Sequence, residues 1–183
     1  MGIDPGSRVT GVALIEQKKK FSNRMDNFCV KDVLTLLSPK SEQLSRRIGL
    51  FHNTMYDLLC EFKPDYVVME SSFVGKNPQS ALKLGQVRGA FMCSVFRYGS
   101  VFQELAPKEV KKIVTGNGNA SKECVQKSLK AFFKYQGHFS SYDASDALAV
   151  ALAFAVTHGS FLETSKQKGL ENGSFQALSQ NQT

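Results

Sequence analysis

The chain has 183 residues, and 42% of them are hydrophobic, which suits a single domain with a sizeable core. With 23 Lys and Arg against 16 Asp and Glu, its formal net charge is +7, which favours a polyanionic partner but also fits a generally basic protein. No uninterrupted apolar run is long enough to span a bilayer, and no membrane partner is expected.

The first half of the chain is predicted to form three strands, a helix and a fourth strand. The first three strands cover residues 2–4, 9–16 and 28–37. A helix with apolar residues at helical spacing starts at Ser41 and is stopped by Pro64. The fourth strand covers residues 65–70 and ends at Glu70. The three lysines at residues 18–20 are predicted to lie at the solvated hairpin tip between the second and third strands.

The second half is predicted to contain helices around a fifth strand. Asn77 caps a helix that has Pro78 at its first position and runs to about residue 96. A strand covers residues 100–105, Ser121 caps the next helix, and Asp143 opens the last one. This order predicts an α/β fold, a five-stranded mixed sheet flanked by helices on both sides.

The four cysteines predict a reducing environment. Cys29, Cys60, Cys93 and Cys124 lie about thirty residues apart, with no Cys-x-x-Cys pair and no secretory segment ahead of them. Such spacing is typical of free thiols in a cytoplasmic protein.

Four carboxylates lie in three segments that suit a divalent metal: Asp4 before a Pro-Gly turn, Glu70 at the end of an apolar strand, and Asp143 and Asp146 at the start of a helix. Clustered carboxylates that lose hydration repel one another unless a cation compensates. Hard oxygen ligands favour Mg²⁺ or Mn²⁺ over zinc. Taken singly, Asp4 alternatively caps its turn, and Asp143 and Asp146 alternatively act as N-cap and first-turn acid.

Longer motifs around these carboxylates resemble the RuvC-type Holliday junction resolvases. The resemblance extends from about residue 2 to about residue 155. The matching motifs are Gly-Ile-Asp-Pro-Gly-Ser-Arg at residues 2–8, Thr-Gly at 10–11, Glu70 with residues 73–86, Arg-Gly-Ala at 88–90, and residues 106–111, 115–118 and 143–151. The block at residues 73–86 is far more specific than the first and last motifs, which other ribonuclease-H-like proteins share loosely.

The resemblance implies a ribonuclease-H-like nuclease domain at residues 1–158. The polar residues 159–183 are predicted to form a disordered tail, in which Phe175 and Leu178 alternatively dock on a partner. The implied activity is the resolution of four-way DNA junctions in recombination and repair by paired symmetric nicks. Two-metal hydrolysis would leave 5′-phosphate and 3′-hydroxyl ends.

The resemblance also implies two Mg²⁺ ions per site, for which Mn²⁺ can substitute. Asp4 is predicted to bridge the two ions, and Glu70 to complete the coordination of one of them. Asp143 and Asp146 are predicted to serve the other ion, and which of these two aspartates binds it directly is left open. Lys111 and Lys122 align with basic residues near the family's active site, which implies phosphate positioning and charge stabilisation. The alternative for both lysines is an exposed position on a solvated helix face.

Further residues are predicted to contact DNA. Phe73 matches a family aromatic that packs against bases at the junction centre, and its alternative is a core position. Basic residues around the carboxylate segments in sequence complete the predicted DNA surface: Lys76, Lys83, Arg88 and Lys108.

The implied partners follow from the substrate. A four-way junction has near two-fold symmetry, so one site per chain implies a homodimer. The family uses the helix at residues 78–96 for this contact, although its small residues can equally pack on the chain's own sheet. A junction-binding and branch-migration helicase complex of the RuvA and RuvB type is the other implied partner.

Two departures from the family and two other functions are weighed. Only Met1 precedes Gly2, so the true start lies upstream or the first strand is short. Many relatives have a His near the position of Phe154, whereas this chain has His158 a turn later. A ribonuclease-H-like nuclease acting on structured RNA is the main alternative function. An actin-like ATPase fragment is a more distant one, because such ATPases need two domains of this kind.

Overall fold

The computed structural model describes residues 1–18, 28–71, 77–134 and 139–158. Five strands are present: β1 (Gly2–Asp4), β2 (Val9–Gln17), β3 (Phe28–Leu37), β4 (Tyr66–Glu70) and β5 (Val101–Leu105). Within the same ranges the helices are α1 (Leu44–Phe62), α2 (Pro78–Tyr98), α3 (Pro107–Thr115), α4 (Lys122–Phe133) and α5 (Tyr142–His158).

The strands form one sheet in the order β3-β2-β1-β4-β5. Strand β2 is antiparallel to both β1 and β3, whereas β4 and β5 run parallel to β1. Parallel neighbours need a crossover connection, and α1 and α2 supply the two crossovers. The predicted five-stranded mixed sheet is therefore confirmed.

Helix α5 is the centre of the core on one face of the sheet. It packs across β1, β2, β3 and β4, and α3 and α4 cover its outer side. The residues from Ala144 to Ala155 are all buried except Asp146. A helix that is apolar all round is expected to be enclosed on every side, and short alanine side chains let it lie close to the sheet.

Helices α1 and α2 cover the opposite face. Their fully buried residues include Met55, Leu59 and Phe91, which join Ile3 of β1 and Met69 of β4 in a second apolar cluster. The site carboxylates follow directly on these core residues, because Asp4 comes after Ile3 and Glu70 after Met69. Two packed layers thus fix the strand ends from both sides.

The helix starts agree with the sequence in part. The side chain of Asn77 accepts a hydrogen bond from the Ser80 amide at 3.2 Å, which confirms the predicted cap of α2. Ser121 likewise caps α4, accepting from the Cys124 amide at 3.3 Å. Helix α1 begins at Leu44, because residue 43 is extended and makes no side-chain cap. The nine-residue helix α3 was not predicted.

The alternative reading of Asp143 as the N-cap of the last helix is wrong. The Ser141 hydroxyl accepts from the Ala144 amide at 3.1 Å, so this serine caps α5 and Asp143 lies in its first turn. The carboxylate of Asp143 is therefore not used as a cap. Within the described residues no helix is long and apolar enough to cross a membrane. The predicted tail at residues 159–183, with Phe175 and Leu178, lies outside these residues.

Candidate active site

Asp4 and Glu70 end neighbouring parallel strands. In the register of β1 and β4, Gly2 pairs with Val68 and Ile3 with Met69, so the two carboxylates are the next residues at the same edge of the sheet. Both side chains are partly buried. The sheet topology therefore brings together two acids that are 66 residues apart in sequence.

Asp143 and Asp146 reach the same edge on α5, and glycines permit the close approach of this helix. A Cβ on Gly11 of β2 would lie 1.9 Å from the carbonyl oxygen of Asp143. A Cβ on Gly2 would lie 2.3 Å from that of Ala147. Any side chain at either position would push the helix away from the strands. The Gly-Ile-Asp and Thr-Gly motifs carried this signal, which the sequence reasoning did not use.

Hydroxyl and amide groups fix the orientation of α5. Thr35 of β3 lies 3.2 Å from the capping hydroxyl of Ser141, oxygen to oxygen. Gln126 of α4 donates to the buried Ser145 hydroxyl at 2.9 Å, and that hydroxyl donates to the Tyr142 carbonyl at 2.8 Å. These residues were not predicted as part of the site. They hold the first turn of α5 against β3 and α4.

The four carboxylates form one electrostatic cluster. Burial raises the pKa of Asp4 from 3.8 to about 7, and the charges of Glu70, Asp146 and Asp143 add to this rise. Burial also raises the pKa of Glu70, with a further contribution from Asp146. The surroundings therefore do not fully solvate the negative charge of the cluster. A bound cation would lower this electrostatic cost.

Lys122 and Lys111 supply nearby positive charge. The ammonium of Lys122 donates to Oδ2 of Asp146 at 2.6 Å. Burial lowers the pKa of Lys122, but the hydrogen bond with Asp146 and the charges of the aspartates outweigh it and raise the pKa. Lys111, partly buried on α3, lowers the pKa of Glu70 through its charge. Both lysines therefore face the carboxylates.

The Lys122 side chain has a further neighbour, Tyr142, that the sequence did not indicate. Its ammonium lies 5.4 Å from the centroid of the Tyr142 ring. The Tyr142 hydroxyl in turn donates to the carboxylate of Glu123 at 3.1 Å. The tyrosine that precedes Asp143 therefore forms one wall around the lysine.

The donor set suits a hard divalent cation, although the side chains are not arranged as a closed metal cage. Among the described residues, no three His, Cys, Asp or Glu side chains converge closely enough to hold an ion as they stand. The Lys122 ammonium instead forms an ion pair with the Asp146 carboxylate. A set of four carboxylates, of which Asp4 and Glu70 have raised pKa values, suits Mg²⁺ or Mn²⁺ chemically. To bind the ion, the side chains would rotate toward it.

The other predicted DNA contacts fall in different places. Lys83 of α2 and Lys108 of α3 are exposed. Phe73 and Lys76 lie outside the described residues. Arg88 is only 8% exposed and donates to the backbone carbonyl of Glu70 and to the carboxylate of Glu104. The Arg88 guanidinium is bound inside the chain, so the predicted place of Arg88 on an exposed DNA surface is wrong.

Two more residues complete the surroundings of the site. The buried Arg47 of α1 donates to the Ser7 carbonyl at 2.9 Å and so supports the turn after Asp4. His158, at the last turn of α5, stacks on Phe154 with ring centroids 4.4 Å apart. It lies at the opposite end of α5 from Asp143. The four cysteines are free, and three of them are exposed.

Sequence comparisons match this chain to one family of known proteins. The family model described as crossover junction endodeoxyribonuclease RuvC matches residues 1–158. The protein of that name from Chloroherpeton thalassium is 40% identical over 152 residues, covering 83% of this chain and 78% of that protein. The one from Dichelobacter nodosus is 38% identical over 164 residues, covering 90% and 86%.

Solved structures agree with the sequence comparisons. Thermus thermophilus RuvC superposes with a TM-score of 0.76 at 25% identity, covering 86% of this chain and 93% of that chain. Its complex with a Holliday junction substrate gives a TM-score of 0.77 at the same identity, covering 87% and 94%. The yeast mitochondrial resolvase Ydc2, 13% identical with a TM-score of 0.64, shares the fold. The chain belongs to the crossover junction endodeoxyribonuclease RuvC family.

Proposed function

We propose that this chain is a structure-selective DNA endonuclease that resolves four-way junctions by paired symmetric nicks during recombination and repair. The observation that carries the proposal is that Asp4, Glu70 and the start of α5, with Asp143 and Asp146, lie at one sheet edge beside Lys122. A related structure is a complex of RuvC with a Holliday junction substrate, which supports the same substrate here.

The carboxylates would hold two Mg²⁺ ions, with Mn²⁺ as a substitute. Bound metal ions supply an activated water for attack on phosphorus and charge stabilisation for the leaving 3′ oxygen. Asp4 is suited to the shared position, because its pKa responds to all three other carboxylates. Glu70 would serve one ion, and Asp143 with Asp146 the other. Products with 5′-phosphate and 3′-hydroxyl ends would be substrates for a ligase.

Lys122 and Lys111 would act on the phosphate. Lys122 forms an ion pair with Asp146. When that carboxylate is engaged elsewhere, the ammonium becomes available to a phosphate oxygen and can stabilise charge that develops there. Lys111 on α3 lowers the pKa of Glu70 through its charge and would act on the phosphate in the same way. The exposed Lys83 and Lys108 would bind backbone phosphates farther away, and Lys76 would join them.

A homodimer with one site per chain would match the symmetry of the junction. Helix α2 is the element we assign to this contact, because Leu82 and Phe96 on it are 66% and 67% exposed. We place the protein in the cytoplasm. Its partner there would be a junction-binding and branch-migration helicase complex of the RuvA and RuvB type.

One assay separates the proposed function from its main rival, a nuclease that acts on structured RNA. The purified chain is incubated with Mg²⁺ and either a synthetic four-way junction, a linear duplex of the same sequence or a structured RNA. We expect symmetric nicks in the junction alone, with products that a DNA ligase reseals. Preferential cleavage of the RNA would replace the proposal with its rival, and equal cleavage of junction and duplex would remove the structural selectivity.

A further inference from the structure

Arg88 connects three elements at the end of the strand that carries Glu70. It lies on α2 and is 8% exposed. One guanidinium nitrogen donates to the backbone carbonyl of Glu70, and another donates to the carboxylate of Glu104 on β5. The Glu104 side chain is 41% exposed, so the ion pair is buried on the Arg88 side and open to solvent on the Glu104 side.

The guanidinium is chemically suited to this double role. Its donors are spread over a rigid plane, so it can serve a carbonyl and a carboxylate at the same time. Lysine has the same charge but no planar fork. A backbone carbonyl next to a buried site is costly to leave without a donor, which adds to the reason for an arginine here.

The carbonyl that Arg88 binds belongs to the residue that carries the site carboxylate. Glu70 is the last residue of β4, and the next amide, that of Ser71, donates to the Leu105 carbonyl at 2.8 Å. The Glu70 carbonyl and the Ser71 amide belong to one peptide group, so this group is held at both ends, its carbonyl by Arg88 and its N–H by β5. Fixing this peptide plane, which is attached directly to the Glu70 Cα, restricts the direction in which the Glu70 carboxylate leaves the sheet.

We propose that Arg88 is a positioning residue for Glu70, which sets the carboxylate for divalent metal through the backbone carbonyl and is itself held by Glu104. The expected change in cleavage rests on the proposed function. The expected change in metal affinity rests on the metal site alone. Arg88 touches neither DNA nor metal in this role. Its loss therefore weakens metal use and leaves junction affinity unchanged.

The experiment compares Arg88→Lys, which keeps the charge, with two other variants. Glu104→Gln removes the carboxylate that holds the guanidinium. Arg97→Met is the matched control, because Arg97 is an exposed arginine of the same helix, with its guanidinium 4.5 Å from the Tyr56 ring. For each protein we measure thermal unfolding, Mn²⁺ binding without DNA by calorimetry, junction affinity in Ca²⁺, and single-turnover cleavage against Mg²⁺ concentration.

We expect Arg88→Lys to bind Mn²⁺ about tenfold more weakly and to need a correspondingly higher Mg²⁺ concentration for cleavage, as is typical when a group that orients a metal ligand is lost. Its junction affinity should stay within about twofold of the wild type. Glu104→Gln should show a smaller loss in the same direction, and Arg97→Met none. If Arg88→Lys does not fold, the metal affinity of Glu104→Gln decides.

Two results would overturn the inference. Wild-type metal affinity and metal dependence in a folded Arg88→Lys protein would show that the contact is only structural. Loss of junction affinity with unchanged Mn²⁺ binding would return Arg88 to the DNA surface. If instead the wild type binds Mn²⁺ but fails to cut junctions, and Arg88→Lys still binds the metal more weakly, the proposed function fails and the positioning role stands.

Discussion

The ammonium of Lys122, on the first turn of α4, donates to Oδ2 of Asp146 on α5 at 2.6 Å. This contact joins a basic residue predicted to act on phosphate with an acid predicted to bind metal. The lysine therefore serves as a counterion of the carboxylate cluster. Metal binding and release of Lys122 toward substrate are therefore expected to be linked.

The first prediction concerns Asp4. Asp4→Asn should abolish junction cleavage in Mg²⁺ or Mn²⁺. The variant loses the carboxylate whose pKa is raised by the charges of all three other acids. Junction affinity should be retained, since the basic surface is unchanged. Gel-shift and cleavage assays on the same junction measure both properties. Cleavage at the wild-type rate would remove Asp4 from the metal site.

The second prediction is a pH dependence of the metal-free protein. Because the pKa of Asp4 is raised from 3.8 to about 7 in the fold, the folded chain binds this proton more tightly than the unfolded chain. The free energy of unfolding should therefore fall as pH rises from about 4 to about 7, by up to about 4 kcal/mol from this group. Urea unfolding in a chelator at pH 5 and pH 8 measures the change.

Asp4→Asn is the control for this pH effect. The amide cannot ionise, so the variant should be more stable than the wild type at pH 8 in a chelator and should lose most of the pH dependence. Added Mg²⁺ should reverse the order by stabilising the wild type. Equal stability of the two proteins at pH 8 without metal would contradict the raised pKa.

The third prediction concerns Lys122. Lys122→Met should lower the single-turnover cleavage rate by about 100-fold or more, as expected when a group that stabilises transition-state charge is removed. It should also destabilise the metal-free protein, because Asp146 loses its partner. Lys127→Met is the matched control, an exposed lysine of the same helix. A control variant as slow as Lys122→Met would show that only overall positive charge matters, and a normal rate in Lys122→Met would remove Lys122 from the reaction.

Local signals in the sequence predicted local structure well. The caps at Asn77 and Ser121 were found because the capping side chain and its amide lie three residues apart. Helix α3 was missed because it is short and begins at Pro107 without a side-chain cap. The four carboxylates were recognised from their motifs, although their meeting depends on the order of the strands.

Non-local contacts could not be predicted in the same way. Arg88 was expected on the surface, since a buried arginine and an exposed one look alike in sequence, and only its partners Glu70 and Glu104 reveal the difference. The contact of Lys122 with Asp146 spans 24 residues and two helices. The Gly11 approach to α5 likewise appears only when the helix is packed.

The fourth prediction concerns Phe73, which lies outside the described residues and is argued from the sequence. If its ring stacks on bases at the crossover, Phe73→Ala should lose about 1–3 kcal/mol of stacking and resolve junctions poorly, with a nearly unchanged melting temperature. A core phenylalanine would instead cost about 3–5 kcal/mol of stability. Thermal melts beside a cleavage assay distinguish the two, and a large drop in melting temperature would place Phe73 in the core.

The fifth prediction concerns Gly11. In Gly11→Ala the new Cβ would lie 1.9 Å from the Asp143 carbonyl, so the start of α5 must move away from β2. We expect a loss of about 1–3 kcal/mol in stability. Cleavage should fall further than stability explains, by up to about 100-fold, because the acids on α5 shift relative to Asp4. Gly49→Ala, in α1 with open space around it, should instead stabilise by about 0.5–1 kcal/mol and cleave normally. Normal cleavage by a folded Gly11→Ala protein would show that the site tolerates movement of α5.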